Sequence, residues 1–185
     1  MEALSIQINP WEYKNRKATE LLLRYITRTR YGENRKDLKL WGTPSGYHYH
    51  PPIETIINAF EYVQKKKGIQ GSKMCHYVIR IRLETFQRMN NNLSALADYG
   101  VAACNYLFHM EYQCCFAIHD SKEKGLHIHF AINTAGFGTN GKLRQYPAEI
   151  QRTVKYPLLH MLDPYLYSSC DIADALGDFT EEPLP

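Results

Sequence analysis

The sequence predicts a single α+β domain in which helices flank a central, mainly antiparallel β-sheet. Stretches with apolar residues at helical spacing interleave with stretches of period two. Two strand-like runs are separated by only a short polar connection ending in glycine. The 185 residues suit one domain with a core large enough to need no staples. The folded domain is expected to span residues 1–160, with an acidic extension over 161–185.

Ala18 to about Thr29 reads as a helix through Leu21, Leu22, Tyr25 and Ile26, with Arg24 and Arg28 one turn apart beside Tyr25. Residues 41–52 are rich in Gly, Pro, Tyr and His and read as an irregular loop. Ile53, Ile56, Ile57, Phe60 and Val63 form one stripe, a helix from Ile53 to Lys66 that stops before Gly68. Lys73 to Phe86 alternates and reads as one long strand. Its oily face holds Tyr77, Ile79, Ile81 and Leu83, and its basic face His76, Val78, Arg80 and Arg82. A third helix runs from Asn91 to about Met110, opened by asparagines. Gln113 to His119 and Leu126 to Asn133 are strands joined by the polar run 120–125. Residues 136–141 form a turn, Glu149 to about Tyr156 a last helix broken at Pro157, and Asp171 to Pro185 a loosely held end.

Net charge is +3, but the first ninety residues hold 16 Lys/Arg against 8 Asp/Glu and the remainder 6 against 11. A basic front half suits a phosphate-rich partner such as nucleic acid. Single runs such as Lys65 to Lys67 are more simply solvated lysines. Fourteen tyrosines supply faces on which unpaired bases can stack, though most serve as core or surface. No apolar run approaches the length of a membrane span, so no membrane insertion is expected. The N-terminus lacks the pattern of a signal peptide. Five cysteines without regular spacing suggest reduced thiols, hence a cytoplasmic location.

His119, His127 and His129 carry the chemistry. Residues i and i+2 of a strand share a face, so His127 and His129 point together. If the two strands pair across the 120–125 connection, His119 faces His127, with Cα atoms about 4.5–5.5 Å apart. Three imidazoles then converge on one divalent ion and leave other positions open, an arrangement commoner in catalytic than in structural sites. Imidazole suits Zn, Mn, Fe, Co or Ni alike. Asp120 and Glu123 fall in the connection, as supporting partners of the histidines or as solvated loop acids.

His76-Tyr77-Val78-Ile79 followed by a helix, then Ala117-Ile118-His119-Asp120 and His127-Ile128-His129-Phe130-Ala131-Ile132-Asn133, resembles the plasmid mobilization relaxases of the HUH superfamily, in the mobilization-protein branch. The resemblance covers residues 17–143 and includes Gly141-Lys142. It implies an RRM-related palm and a bacterial, cytoplasmic DNA nickase. Such an enzyme cuts single-stranded DNA at an origin of transfer during conjugation, with Mn, Mg or Zn as the divalent ion. It further implies Tyr25 as nucleophile, with Tyr31 as fallback, and metal ligands His119, His127 and His129. His76 and Asn133 would support them, with Asp120 as a further catalytic candidate; by charge and position Arg24 and Arg28, or Arg80 and Arg82 on the sheet, together with Lys142, suit contacts to DNA. An accessory DNA-binding protein and a type IV coupling or secretion system are the implied partners. Ser121 stands where the family often has an acid, and Arg80 and Ile81 stand where serine and phenylalanine are usual. Two other readings are a single-tyrosine HUH transposase using Tyr156 and a DNA-binding module without catalysis.

Overall fold

The computed structural model describes residues 6–9, 17–29, 35–139, 141–143 and 151–163. The histidine hairpin lies at its centre. Strand β4 (Tyr112–Ser121) pairs antiparallel with β5 (Gly125–Gly136), setting His119 opposite His127 and Ser121 opposite Gly125. The connection is therefore only Lys122-Glu123-Lys124, because Asp120 and Ser121 already belong to the strand. Gly125, at φ +66°, takes the left-handed corner that a side chain would resist.

Three more strands complete a five-stranded, antiparallel sheet. β3 (Met74–Arg80) joins β5, β1 (Ile6–Asn9) lies outside β3, and β2 (Leu38–Gly42) lies outside β4, giving the order β1-β3-β5-β4-β2. Both edge strands escape the hydrophobic pattern. Four or five residues are too few for period two to stand out, and β2 ends inside the stretch expected to be a loop.

Alternation gives the sheet two buried faces. One carries Met74, Cys115, Ala117 and Ala131, and packs against Leu22, Leu23 and Ile26 of α1 (Ala18–Thr27) and Ile53, Ile56, Ile57 and Phe60 of α2 (Ile53–Lys66). Small residues at 115, 117 and 131 let those helices lie close. The other face, with Tyr77, Ile79, Phe116, Ile118, Ile128 and Phe130, is covered by α4 (Leu93–His109) and by Val154 and Leu158. A Cβ on Gly100 would meet the Phe116 ring at 2.5 Å, so α4 rests its bare backbone on that ring. Asn92 caps α4, its side chain accepting from the Ser94 amide at 2.9 Å.

Two expectations need correcting. The strand at Lys73 to Phe86 stops at Arg80, and Leu83–Arg88 is a short helix, α3, with Leu83 largely exposed. Its supposed basic face is also buried, since β3 lies under helices on both sides and only Arg80 at its end is exposed. Nor does Pro157 break the last helix. A π-helical turn, Gln151–Lys155, runs straight into α5 (Tyr156–His160), and the Thr153 carbonyl, four residues before the proline, accepts from the Tyr106 hydroxyl at 3.0 Å instead.

Asn133, fully buried on β5, ties the layers together. Its Nδ2 donates to the Phe60 carbonyl at 3.1 Å and to Gln113 Oε1 at 2.7 Å, while its Oδ1 accepts from Gln64 Nε2 and the Ala135 amide, both at 3.1 Å. Gln64 in turn pairs with Thr19 of α1. Replacing Asn133 by leucine strands several of these groups, and we expect a loss of about 2–4 kcal/mol at roughly 1–3 kcal/mol per buried unpaired group. The urea midpoint measures it; an unchanged midpoint contradicts this role.

Candidate metal centre and nuclease site

The sheet face that packs against α1 and α2 through Ala117 and Ala131 carries the three histidines farther along β4 and β5, toward the hairpin, where the end of α1 still reaches His119 and His129. Each is almost wholly buried, and one nitrogen from each lies within 4.8 Å of the other two. The ring centroids are 4.5 Å (His119–His129), 4.8 Å (His127–His129) and 5.5 Å (His119–His127) apart.

Each ring has a hydrogen-bond partner on at least one nitrogen, and His119 has one on both. His127 Nδ1 donates to the Gly125 carbonyl at 2.8 Å. His119 Nε2 donates to the Ile26 carbonyl at 2.6 Å, so its Nδ1 is an acceptor, taking a bond from Arg28 Nη2 at 3.1 Å. His129 Nδ1 lies 2.8 Å from His76 Nε2, while its own Nε2 is buried without a hydrogen-bond partner among the described residues. A buried polar atom left unmatched costs about 1–3 kcal/mol. A cation among three neutral imidazoles relieves that cost, so the donor set fits a divalent metal.

Burial is the main cause that keeps these rings neutral, against the hydrogen bonds to the Ile26 and Gly125 carbonyls, which favour the protonated forms of His119 and His127. His76 and His119 are each pushed down to about 4, from an ordinary 6.5, and His127 and His129 are also lowered. Ligand nitrogens are therefore unprotonated near neutrality. The same burial makes the fold acid-sensitive. Between about pH 6.5 and 4 the unfolded chain binds protons that folded His76 and His119 refuse, so stability falls as pH falls through that window. Each group removes up to about tenfold from the folding constant per pH unit. Thermal melts in chelator, taken from pH 7 down to 5, should show a steadily falling midpoint.

Tyr25 occupies the last turn of α1, its ring edge-on to His129 and His76 at centroid distances of 5.8 and 6.0 Å. The helix ends at Arg28, a left-handed residue at φ 52°. That turn folds the guanidinium back over the Tyr25 ring, 4.7 Å from its centroid, and onto the Tyr25 carbonyl at 2.8 Å. Arg28 also grips Asp37 through two bonds of 3.0 and 2.7 Å. Burial works against its charge, but Asp37 and Tyr25 together raise its pKa. Bonding to Arg28 holds Asp37 below the usual carboxylate range, 4.0 Å from His119 Nδ1.

Asp37 went unnoticed in the sequence because nothing local marks an acid 82 residues before His119. The acid expected beside the histidines, Asp120, lies on β4 rather than in the connection. Alternation turns it to the other side, where it pairs with Lys39 at 3.5 Å. Glu123 is exposed in the connection. Arg24 is committed to Glu20 and Glu54 at 3.0 and 3.1 Å. Arg80 stands opposite His127 in the register, and Arg82 follows just beyond; both are exposed. Lys142 bonds the Gln70 carbonyl and pairs with Ala135, six residues and so about 20 Å along β5 from His129. Asn133 stands about 13 Å from His129 on the same strand. Tyr31 lies outside the described residues. Tyr156 belongs to the layer on the opposite face of the sheet from the histidines.

A model of the relaxase family, described as MobA/VirD2-like, nuclease domain, matches residues 25–156. The chain belongs to this family. The match runs from Tyr25 through all three histidines, and no curated protein matches the chain. Relaxases of this family use a divalent metal, and the histidine triad of this relaxase is a ligand set able to hold one. Family membership makes the chain a DNA-nicking enzyme of plasmid mobilization. No helix among the described residues of the relaxase is long and apolar enough to cross a membrane.

Proposed function

We propose that the protein is a metal-dependent, strand-specific nickase and transesterase of single-stranded DNA at an origin of transfer, with Tyr25 as its nucleophile. The observation that supports this best is the Tyr25 ring, edge-on to the triad's His129 at a centroid distance of 5.8 Å. In the reaction the Tyr25 oxygen bonds to the scissile phosphorus and the bond to the 3′ oxygen breaks. The phenol loses its proton and the departing oxygen gains one. A 5′-phosphotyrosyl link and a free 3′-hydroxyl remain, ready for religation. The triad, His119, His127 and His129, would hold the ion, whose contribution when bound is to offset negative charge on the phosphate.

The surrounding residues have distinct tasks. Arg28 stacks on the Tyr25 ring and restrains the nucleophile, and Asp37 holds Arg28 in place. Exposed Arg80 and Arg82, at the end of β3 nearest His127, suit contacts to flanking phosphates. We assign residues 1–160 to the nuclease domain and 161–185 to an acidic extension. An accessory DNA-binding protein and a type IV coupling system are the partners this reading implies.

Incubation with single-stranded oligonucleotides spanning an origin of transfer, with manganese, tests the proposal. A slower-migrating species that survives denaturation and depends on metal is the expected result. Tight oligonucleotide binding with no such species under any divalent ion points instead to a binding module.

A further inference from the structure

Every triad histidine has a partner on its second nitrogen, but the partners are not equivalent. Main-chain carbonyls hold His119 and His127, and a carbonyl can only accept. His129 is held by another histidine, and an imidazole nitrogen can donate or accept. His76 lies on β3, the strand beside β5, opposite Ala131 and so on the same face as His129. The two rings stack at 5.0 Å with 18° between their planes, and His76 Nε2 lies 2.8 Å from His129 Nδ1. One proton sits between those nitrogens. If His76 supplies it, His129 carries its own proton on Nε2, a buried N–H with nothing to accept it. If His129 supplies it, Nε2 is a bare lone pair able to act as a ligand beside the other two histidines. The first leaves the ligand position blocked; the second leaves it ready.

We propose that His76 is a positioning residue that accepts the Nδ1 proton of His129, thereby fixing the tautomer that exposes Nε2 to the metal. Ligating histidines usually hand their second proton to a carboxylate, a carbonyl or water. A neutral imidazole in that place orients the ring without adding negative charge beside the incoming phosphate. The same stacked pair forms the floor against which Tyr25 stands edge-on, so His76 orients a ligand and the nucleophile from one position. This rests on the metal-centre reading above, and the test separates the two.

Nitrogen-15 spectra of the histidine side chains of the full, metal-free chain give the tautomer directly. His129 is expected as the Nδ1–H form; a dominant Nε2–H form overturns the proposal, whatever the protein does with DNA. Calorimetric titration with manganese is the second arm. His76→Phe, folded by circular dichroism, is expected to weaken binding about 10–100-fold, the range for partners behind a metal ligand. His76→Gln, whose side-chain oxygen accepts the same proton, is expected to retain affinity within a few fold. Cleavage by His76→Phe should recover as manganese is raised, which a merely structural defect does not allow. Unchanged affinity in His76→Phe also overturns the proposal. If the parent protein binds no metal, the metal-centre reading fails, and the tautomer still decides the role of His76.

Discussion

Tyr25→Phe is expected to abolish the covalent protein–DNA species while oligonucleotide affinity stays within a few fold. The substitution removes one oxygen and keeps the ring, so the edge-on contacts to His76 and His129 and the Arg28 stack all survive. Stability should move by no more than about 0.5 kcal/mol, as for a substitution at a partly exposed position. Without the oxygen no phosphotyrosyl bond can form at this position. Loss of a nucleophile lowers turnover by on the order of 10⁴ or more. Denaturing gels after incubation with manganese and a single-stranded oligonucleotide report the adduct, and fluorescence anisotropy reports binding. An adduct persisting in Tyr25→Phe transfers the role to another tyrosine. Tyr31 would then be the residue to change, with Tyr156 a weaker choice because it sits in the far layer.

His127→Ala and His129→Ala are expected to remove metal and cleavage together. Each deletes one of three converging nitrogens, and two imidazoles hold a divalent ion far less tightly than three. More than about a hundredfold loss of manganese affinity is expected, since changes behind the ligands alone cost 10–100-fold. Chelator should reproduce the effect in the parent protein. Metal should also raise the melting midpoint of the parent, because a ligand of the folded state stabilises it by mass action, and should fail to do so in either variant. Full cleavage by His127→Ala would remove the triad from the chemistry.

Much of this architecture was visible in residue order. The period-two placement of His127 and His129 and the short connection behind His119 were enough to predict their register, which the strands adopt. The stripe Ile53, Ile56, Ile57, Phe60, Val63 marked α2 to its observed ends. Long, strongly periodic segments announce themselves because each residue repeats the same message. What stayed hidden depends on contacts between distant segments. Asp37 matters only because Arg28 folds back at a left-handed helix end, and nothing in an arginine's neighbours signals that turn. Arg28 reads as a phosphate contact, and in the structure its guanidinium also bonds Asp37, the Tyr25 carbonyl and His119, contacts that residue order does not signal. Arg82 continued an alternating pattern by coincidence while standing at the start of a helix.

The bond from His119 to the Ile26 carbonyl has a practical consequence. Backbone oxygens in the final turn of a helix have no partner within it, and the His119 ring supplies one for α1. Altering His119 thus unmoors the segment bearing Tyr25 as well as deleting a ligand, and its loss of activity would confound two defects. Knock-outs meant to isolate metal chemistry belong at His127, whose restraining contact stays within its own hairpin.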